Sequence, residues 1–238
     1  MFLAYAFVKG VLRRVKTIAL AVVKSDRPFR SDIYCQVERF GSDYGGWEVI
    51  TEDLNSQSVV YSFGVGEDAS FDISLIEKYR LTIHAFDPTP RSIEWVKRQN
   101  FPANFVMHDY GIAAFDGTVS FSPPENPDHV SHTILERPST KSKAISVPVK
   151  KLHTIMLELG HEAIDLLKMD VEGAEYDVID DLYQSTIRPR QILVEFHDRF
   201  PGVGIKRTRN AVARLRSMGY LLFSISVTNQ EYGFIRRY

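Results

Sequence analysis

Ser58-Val59-Val60-Tyr61-Ser62-Phe63-Gly64-Val65-Gly66-Glu67-Asp68-Ala69 is an apolar run that stops at two glycines one residue apart. The β-branched and aromatic content of the run predicts a buried strand, and the segment from Ser70 to Tyr79 predicts a helix after it. Outward from this unit, short apolar runs alternate with helical stretches. Leu81 to Phe86 reads as a second strand, and Thr89 with Pro90 supplies a cap and first-turn pair for a helix over Arg91 to Gln99. Asn104 to Met107 is a third strand, and Gly117 to Phe121 adds a short one. Residues 122–144 carry four prolines and read as a mobile loop or lid. Regular structure resumes with a strand at Ile145 to Val149 and a helix from Lys151 to Leu159. A strand from Ile164 to Met169 leads through Asp170-Val171-Glu172-Gly173 into a helix ending near Tyr183. Gln191 to Phe196 is a further strand, and Ile205 to Met218 a further helix.

The alternation predicts a mainly parallel sheet with helices on both faces. Tyr220 to Ser226 and Tyr232 to Arg236 are separated by a few turn residues, so they form a hairpin rather than another crossover. The expected fold is therefore α/β: a Rossmann-like sheet of seven strands, mostly parallel, closing in an antiparallel C-terminal hairpin.

A chain of 238 residues, 44% hydrophobic and 25% charged, can bury one substantial core. The net charge of −1 provides no basic field to recruit nucleic acid, and a small or uncharged substrate fits better. Cys35 is the single cysteine, which rules out an intramolecular disulfide and favours a reducing, cytoplasmic setting. Seven basic residues against one acid in residues 1–30 mark off a basic arm before a domain over residues 31–238. Ala4, Val8, Val11, Val15, Ile18 and Val22 recur at helical steps, while Lys9, Arg13 and Lys16 mark another face. Charges interrupt the apolar runs well short of the ~20 residues a bilayer span needs. Two readings of this amphipathic helix stand side by side. It packs on the domain or on a second copy in a homo-oligomer, or residues 1–24 lie peripherally on the anionic inner membrane surface.

Gly64-x-Gly66-x-x-Ala69, with Asp87 at the end of the next strand, has the spacing of a nucleotide-binding turn. By itself this fits NAD as well as S-adenosylmethionine (SAM). Glu67 and Asp68 separate the two, because they sit where a dinucleotide would place its anionic pyrophosphate, whereas SAM brings an ammonium and a sulfonium. For Asp68, capping the helix is at least as good a reading as ligand contact. Asp170 and Glu172 at a strand's carboxyl end lie over the crevice where open α/β sheets bind ligands. Helix capping would explain them without chemistry. Glu195 and His197 end the next strand at the same rim, and His197 is the candidate base: its neutral form predominates at pH 7 if unperturbed. Asp109 is a candidate neighbour of the adenine or a turn former with Gly111. No metal site is read: His129-x-x-His132 lacks a third ligand and helical spacing.

The run from Val59 to His197 resembles the FkbM family of SAM-dependent methyltransferases. Leu167-Lys168-Met169-Asp170-Val171-Glu172-Gly173-Ala174-Glu175 carries most of the resemblance, with support from Val194-Glu195-Phe196-His197 and Phe86-Asp87-Pro88-Thr89. It implies SAM as cofactor and O-methylation of a hydroxyl on a sugar, glycolipid or related natural product. It also implies that Gly64 and Gly66 line the methionine part of SAM and Asp87 its ribose, with Asp170, Glu172, Glu195 and His197 on the reaction side. Many members carry an acid two places before the first glycine, where this chain has Ser62, so recognition of the SAM amine shifts to Glu67 or to water. A non-catalytic SAM-binding protein and an NAD-linked oxidoreductase are the competing readings; Ser62 favours the first, and Glu67, Asp68 and the hairpin oppose the second.

Overall fold

The structure, a computed structural model, describes residues 29–121 and 145–237. The basic arm up to residue 28 and the proline-rich segment 122–144, with His129 and His132, lie outside the described residues. The elements in chain order are β1 (Glu38–Phe40), β2 (Trp47–Val49), β3 (Val60–Phe63), α1 (Ser70–Tyr79), β4 (Ile83–Phe86), α2 (Pro90–Lys97), β5 (Phe105–His108), β6 (Gly111–Ile112), β7 (Gly117–Phe121), β8 (Ile145–Lys150), α3 (Leu152–Leu159), β9 (Leu166–Met169), α4 (Glu175–Gln184), β10 (Gln191–Glu195), α5 (Ile205–Ser217), β11 (Tyr220–Ile225) and β12 (Glu231–Arg236).

Seven strands form the central sheet in the order β11-β12-β10-β9-β3-β4-β5. From β10 to β5 every pairing is parallel, and β12 runs antiparallel to both β10 and β11. The expected sheet and its terminal hairpin are both present. Strand residues alternate between two apolar layers, as a period of two requires. Tyr61, Leu167 and Ile192 face one layer together with Ile155 of α3, Ile179 of α4 and Val212 of α5. Val60, Leu166 and Leu193 face the other, with Leu75 and Ile76 of α1 and Ile83 of β4.

Two features depart from the simple alternation. β1 and β2 pair as a small antiparallel hairpin that adds Phe40, Trp47 and Val49 to the second layer. β6, β7 and β8 leave the main sheet for a three-stranded one of their own, in the order β6-β8-β7. Apolar periodicity marks a strand without naming its neighbour, and here the hydrogen bonds of β8 go to β7 and β6.

The chain lays β4 and β5 on one side of β3, then crosses to lay β9 and β10 on the other. The carboxyl ends of β3 and β9 therefore border the crevice at which helices leave in opposite directions, the position where open α/β sheets bind ligands.

Candidate active site

Gly64 follows β3 at φ +86°, a conformation L side chains rarely adopt, and a β-carbon there would lie 1.9 Å from the main-chain oxygen of Asp170. The two strand ends thus touch through backbone. Lys168, only 6% exposed although it sits in β9, holds this junction: its Nζ donates to the carbonyl oxygens of Phe63 (3.1 Å) and Gly64 (2.5 Å) and lies 5.8 Å from the Trp47 ring centre. Behind it Asp72 is buried, and its carboxyl is raised above the usual range by burial, against the opposing field of Lys168. Gly66 has nothing within 4 Å of its would-be β-carbon and so leaves room for a ligand.

Asp87 ends β4 and is buried. Its Oδ2 accepts the Gly66 N–H at 2.9 Å, while Oδ1 accepts the Thr89 N–H (2.9 Å) and hydroxyl (2.7 Å). The carboxylate expected at the ribose is therefore also the brace that sets the glycine turn. Two oxygens offer about four lone-pair directions, so only about one remains for a ligand hydroxyl. Glu67 lines the same cavity but forms a two-point pair with Arg91, Nε to Oε1 at 2.9 Å and Nη2 to Oε2 at 3.0 Å. Its carboxylate is thus already engaged with a guanidinium, which revises the expectation that it stands ready for the SAM amine. Asp68 behaves as the bland reading expected, accepting the Ser70 N–H at the start of α1 and the Ser42 hydroxyl. Burial would raise the Asp68 carboxyl, but those hydrogen bonds and the field of Lys168 hold it below the usual range.

Together these residues border a cavity of about 430 Å³, a size suited to a small ligand or cofactor. Its walls include Phe63, Phe86, Ile112 and Phe121, and among the described residues its charged lining consists of Glu67, Asp68, Asp87, Asp170 and Glu172 against Lys168 alone. An acidic lining of this kind matches a cationic ligand and opposes a pyrophosphate. Together with the open backbone at Gly66, it fits SAM and not a dinucleotide.

At the far edge of the cavity the turn after β9 meets the end of β10. Glu172 takes a left-handed φ of +52°, rare for a residue with a side chain, and Gly173 and Ala174 lead into α4. Glu175, fully buried, accepts the Gly173 N–H at 2.8 Å and the His197 N–H at 3.1 Å, tying the two segments together. The His197 side chain, 5% exposed, places Nε2 3.5 Å from Glu172, 3.8 Å from Asp170 and 3.9 Å from Glu195, and Nδ1 3.4 Å from Glu175. Burial alone would lower the His197 imidazole, yet Glu175, Glu172 and Asp170 outweigh it and raise it to about 10. Burial and then Asp170 push the Glu195 carboxyl up to about 9, against the pull of His197. The neutral imidazole expected at pH 7 is therefore corrected: surrounded by carboxylates, the ring holds its proton.

The fold brings Gly64, Gly66, Asp87, Asp170 and Glu172 to one cavity and Glu195 and His197 to its edge. Asp109, expected near the adenine, is exposed and outside the cavity lining, because the chain turns into β6 directly after β5. The sequence reading missed Lys168, whose burial in a strand of apolar neighbours was its one available signal, and Glu175, read only as a helix residue. It also missed Tyr44, Gly45 and Trp47, which the β1–β2 hairpin delivers to the cavity from outside the alternating pattern.

Residues 58–222 match the profile of the methyltransferase FkbM domain. The human probable methyltransferase-like protein 24 is 25% identical over 179 residues, covering 71% of this chain and 42% of that protein. The chain thus spans about two fifths of the length of that curated relative. The 2-O-methyltransferase NoeI of Sinorhizobium fredii is 27% identical over 148 residues, 56% of this chain and 60% of that protein. Among solved structures, methyltransferase FkbM from Methylobacillus flagellatus aligns with a TM-score of 0.47 at 12% identity, over 76% of this chain and 44% of that one.

Proposed function

We propose, on the premise that the chain belongs to the FkbM methyltransferase domain family and uses SAM as its cofactor, that it methylates a hydroxyl oxygen of a glycan, glycolipid or similar small acceptor. One observation carries the reading: Asp170 and Glu172 belong at once to the lining of the SAM-sized cavity and to the carboxylate–imidazole cluster at its edge. A hydroxyl placed there meets hydrogen-bond acceptors beside the reactive end of the cofactor. The relative named as a 2-O-methyltransferase supports oxygen as the acceptor atom.

When bound, SAM supplies an electrophilic methyl carbon on a sulfonium leaving group. The chain's own contribution is placement. Gly64 and Gly66 admit the ligand against backbone, Asp87 orders the glycine turn and keeps one acceptor position for the ribose, and the acidic lining favours cationic charge. Asp170 and Glu172 orient the acceptor hydroxyl and receive its hydrogen, Glu195, whose carboxyl is raised, adds a hydrogen bond, and His197 holds these groups in register.

The test is incubation of the chain with methyl-labelled SAM and a panel of sugars and glycolipids, with products analysed for methyl ethers. Labelled ether is expected, and Glu172→Gln, which removes a carboxylate that receives the proton, should reduce its formation by about 10²–10⁴-fold while SAM affinity stays near native. Label carried on nitrogen or sulfur, or no transfer from a chain that binds SAM, would overturn the reading.

A further inference from the structure

We propose that Asp170, Glu172 and His197 form a binding site for one divalent cation of the Mg²⁺/Mn²⁺ class at the edge of the cofactor cavity. One ligand atom from each of these residues falls within 4.8 Å of the others. His197 adds an observation that a group of acids alone would lack. Its side chain is 5% exposed, and Nε2, which accepts or donates no hydrogen bond among the described residues, points at Glu172, Asp170 and Glu195 from 3.5, 3.8 and 3.9 Å. Those separations are too long for hydrogen bonds. Bonds of about 2.0–2.2 Å to a shared ion would place neighbouring ligand atoms about 3 Å apart, so each His197 pair closes by under about 1 Å, and the Asp170 and Glu172 atoms, which lie within 4.8 Å, by at most about 2 Å.

The opposite face of the ring has the arrangement that metal-bound histidines require. Nδ1 is buried without a hydrogen-bond partner and lies 3.4 Å from Glu175, a carboxylate held by two main-chain N–H groups. A small shift completes an Nδ1–H to carboxylate hydrogen bond, and once the incoming ion displaces the Nε2 proton the Nε2 lone pair is directed into the cluster. Charge argues in the same direction. Four carboxylates surround this one ring, and among the described residues no lysine or arginine pairs with Asp170, Glu175 or Glu195. A divalent ion offsets that repulsion. Two carboxylates with one imidazole suit a hard ion, and the imidazole favours Mn²⁺ over Mg²⁺. Positions left open on the ion would bind the acceptor hydroxyl and increase its acidity, a role that rests on the hydroxyl-methylation reading above.

The experiment titrates MnCl₂ alone into the purified full chain, followed by calorimetry and by the paramagnetic resonance signal of free Mn²⁺. One saturable site is expected, weakened at least about tenfold by Asp170→Asn, Glu172→Gln and His197→Ala separately. Asp170→Asn alters a partly exposed side chain, so its result stands even if His197→Ala fails to fold. No saturation at millimolar Mn²⁺, or binding that survives all three substitutions, overturns the site. Because neither SAM nor acceptor is present, lost Mn²⁺ binding in a chain that still methylates hydroxyls sinks the cation site alone. Intact, cluster-dependent Mn²⁺ binding in a chain that methylates no hydroxyl supports the site and sinks only the acceptor reading.

Discussion

The main-chain oxygen of Asp170 occupies the space a β-carbon on Gly64 would need, at a separation of 1.9 Å. The turn after β3 and the turn after β9 are therefore one structural unit, closed by backbone.

Gly64→Ala should destabilise the chain by roughly 2–4 kcal/mol, because the obstacle is main chain and φ is +86°. Gly66→Ala meets no atom within 4 Å and should cost only about 1 kcal/mol for its left-handed φ of +57°. Urea unfolding of both variants measures the difference; equal costs would refute the close contact.

Asp87→Ala should weaken SAM binding by about 1.5–3 kcal/mol, the range for losing charged hydrogen bonds. The expected loss combines the proposed ribose contact with release of the Gly66 N–H that Oδ2 now accepts. Calorimetry should find Thr89→Val much milder, since that variant keeps the carboxylate and the Thr89 N–H bond. Native SAM affinity in a folded Asp87→Ala chain would exclude Asp87 from the site.

Lys168→Met should destabilise by about 1–3 kcal/mol, the usual cost of leaving buried acceptors without their donor. It removes both hydrogen bonds that Nζ donates to the glycine junction and leaves buried Asp72 without its nearby cation. Adding Asp72→Asn should recover part of the loss. Strict additivity in denaturant melts would mean that the two residues do not interact.

The contribution of the buried His84 cluster to stability should be lost as pH drops from about 6.5 to about 4. His84 donates to or accepts from His108 through a 3.0 Å Nδ1 to Nε2 contact, and stacks edge-on against His161 and Tyr61. Burial, then His108 and His161, lower the His84 imidazole to about 4, and burial lowers His108 and His161 as well. The folded state keeps these rings neutral while the unfolded chain protonates them near 6.5, so the contribution is complete above that pH and is lost as pH falls toward 4. Thermal melts across this range should flatten in His84→Phe; an unchanged acid slope would exclude this cluster as the cause.

Much of the fold was legible because the core strands are buried on both faces. Val60–Phe63, Leu166–Met169 and Gln191–Glu195 had to be apolar runs, and α1 spans Ser70–Tyr79 as its spacing predicts. Gly64, Gly66 and Asp87 were legible for the same local reason, since a tight turn after a strand restricts which residues can occupy it. The three-residue strands β1 and β2 are too short to establish a period, and so the hairpin that brings Trp47 toward Lys168 left no comparable signal.

By itself the sequence determined the order of elements, the position of the glycine turn, and which acids end which strands, because those depend on periods and conformations within a few residues. The tertiary structure alone decided that Asp170, Glu172, Glu175 and Glu195 converge on His197. That meeting depends on β9 and β10 lying parallel and in register, with Met169 opposite Val194. Only this placement allows carboxylates distant in the chain to hold one buried imidazole in its protonated form, since charges act through space and not along the chain.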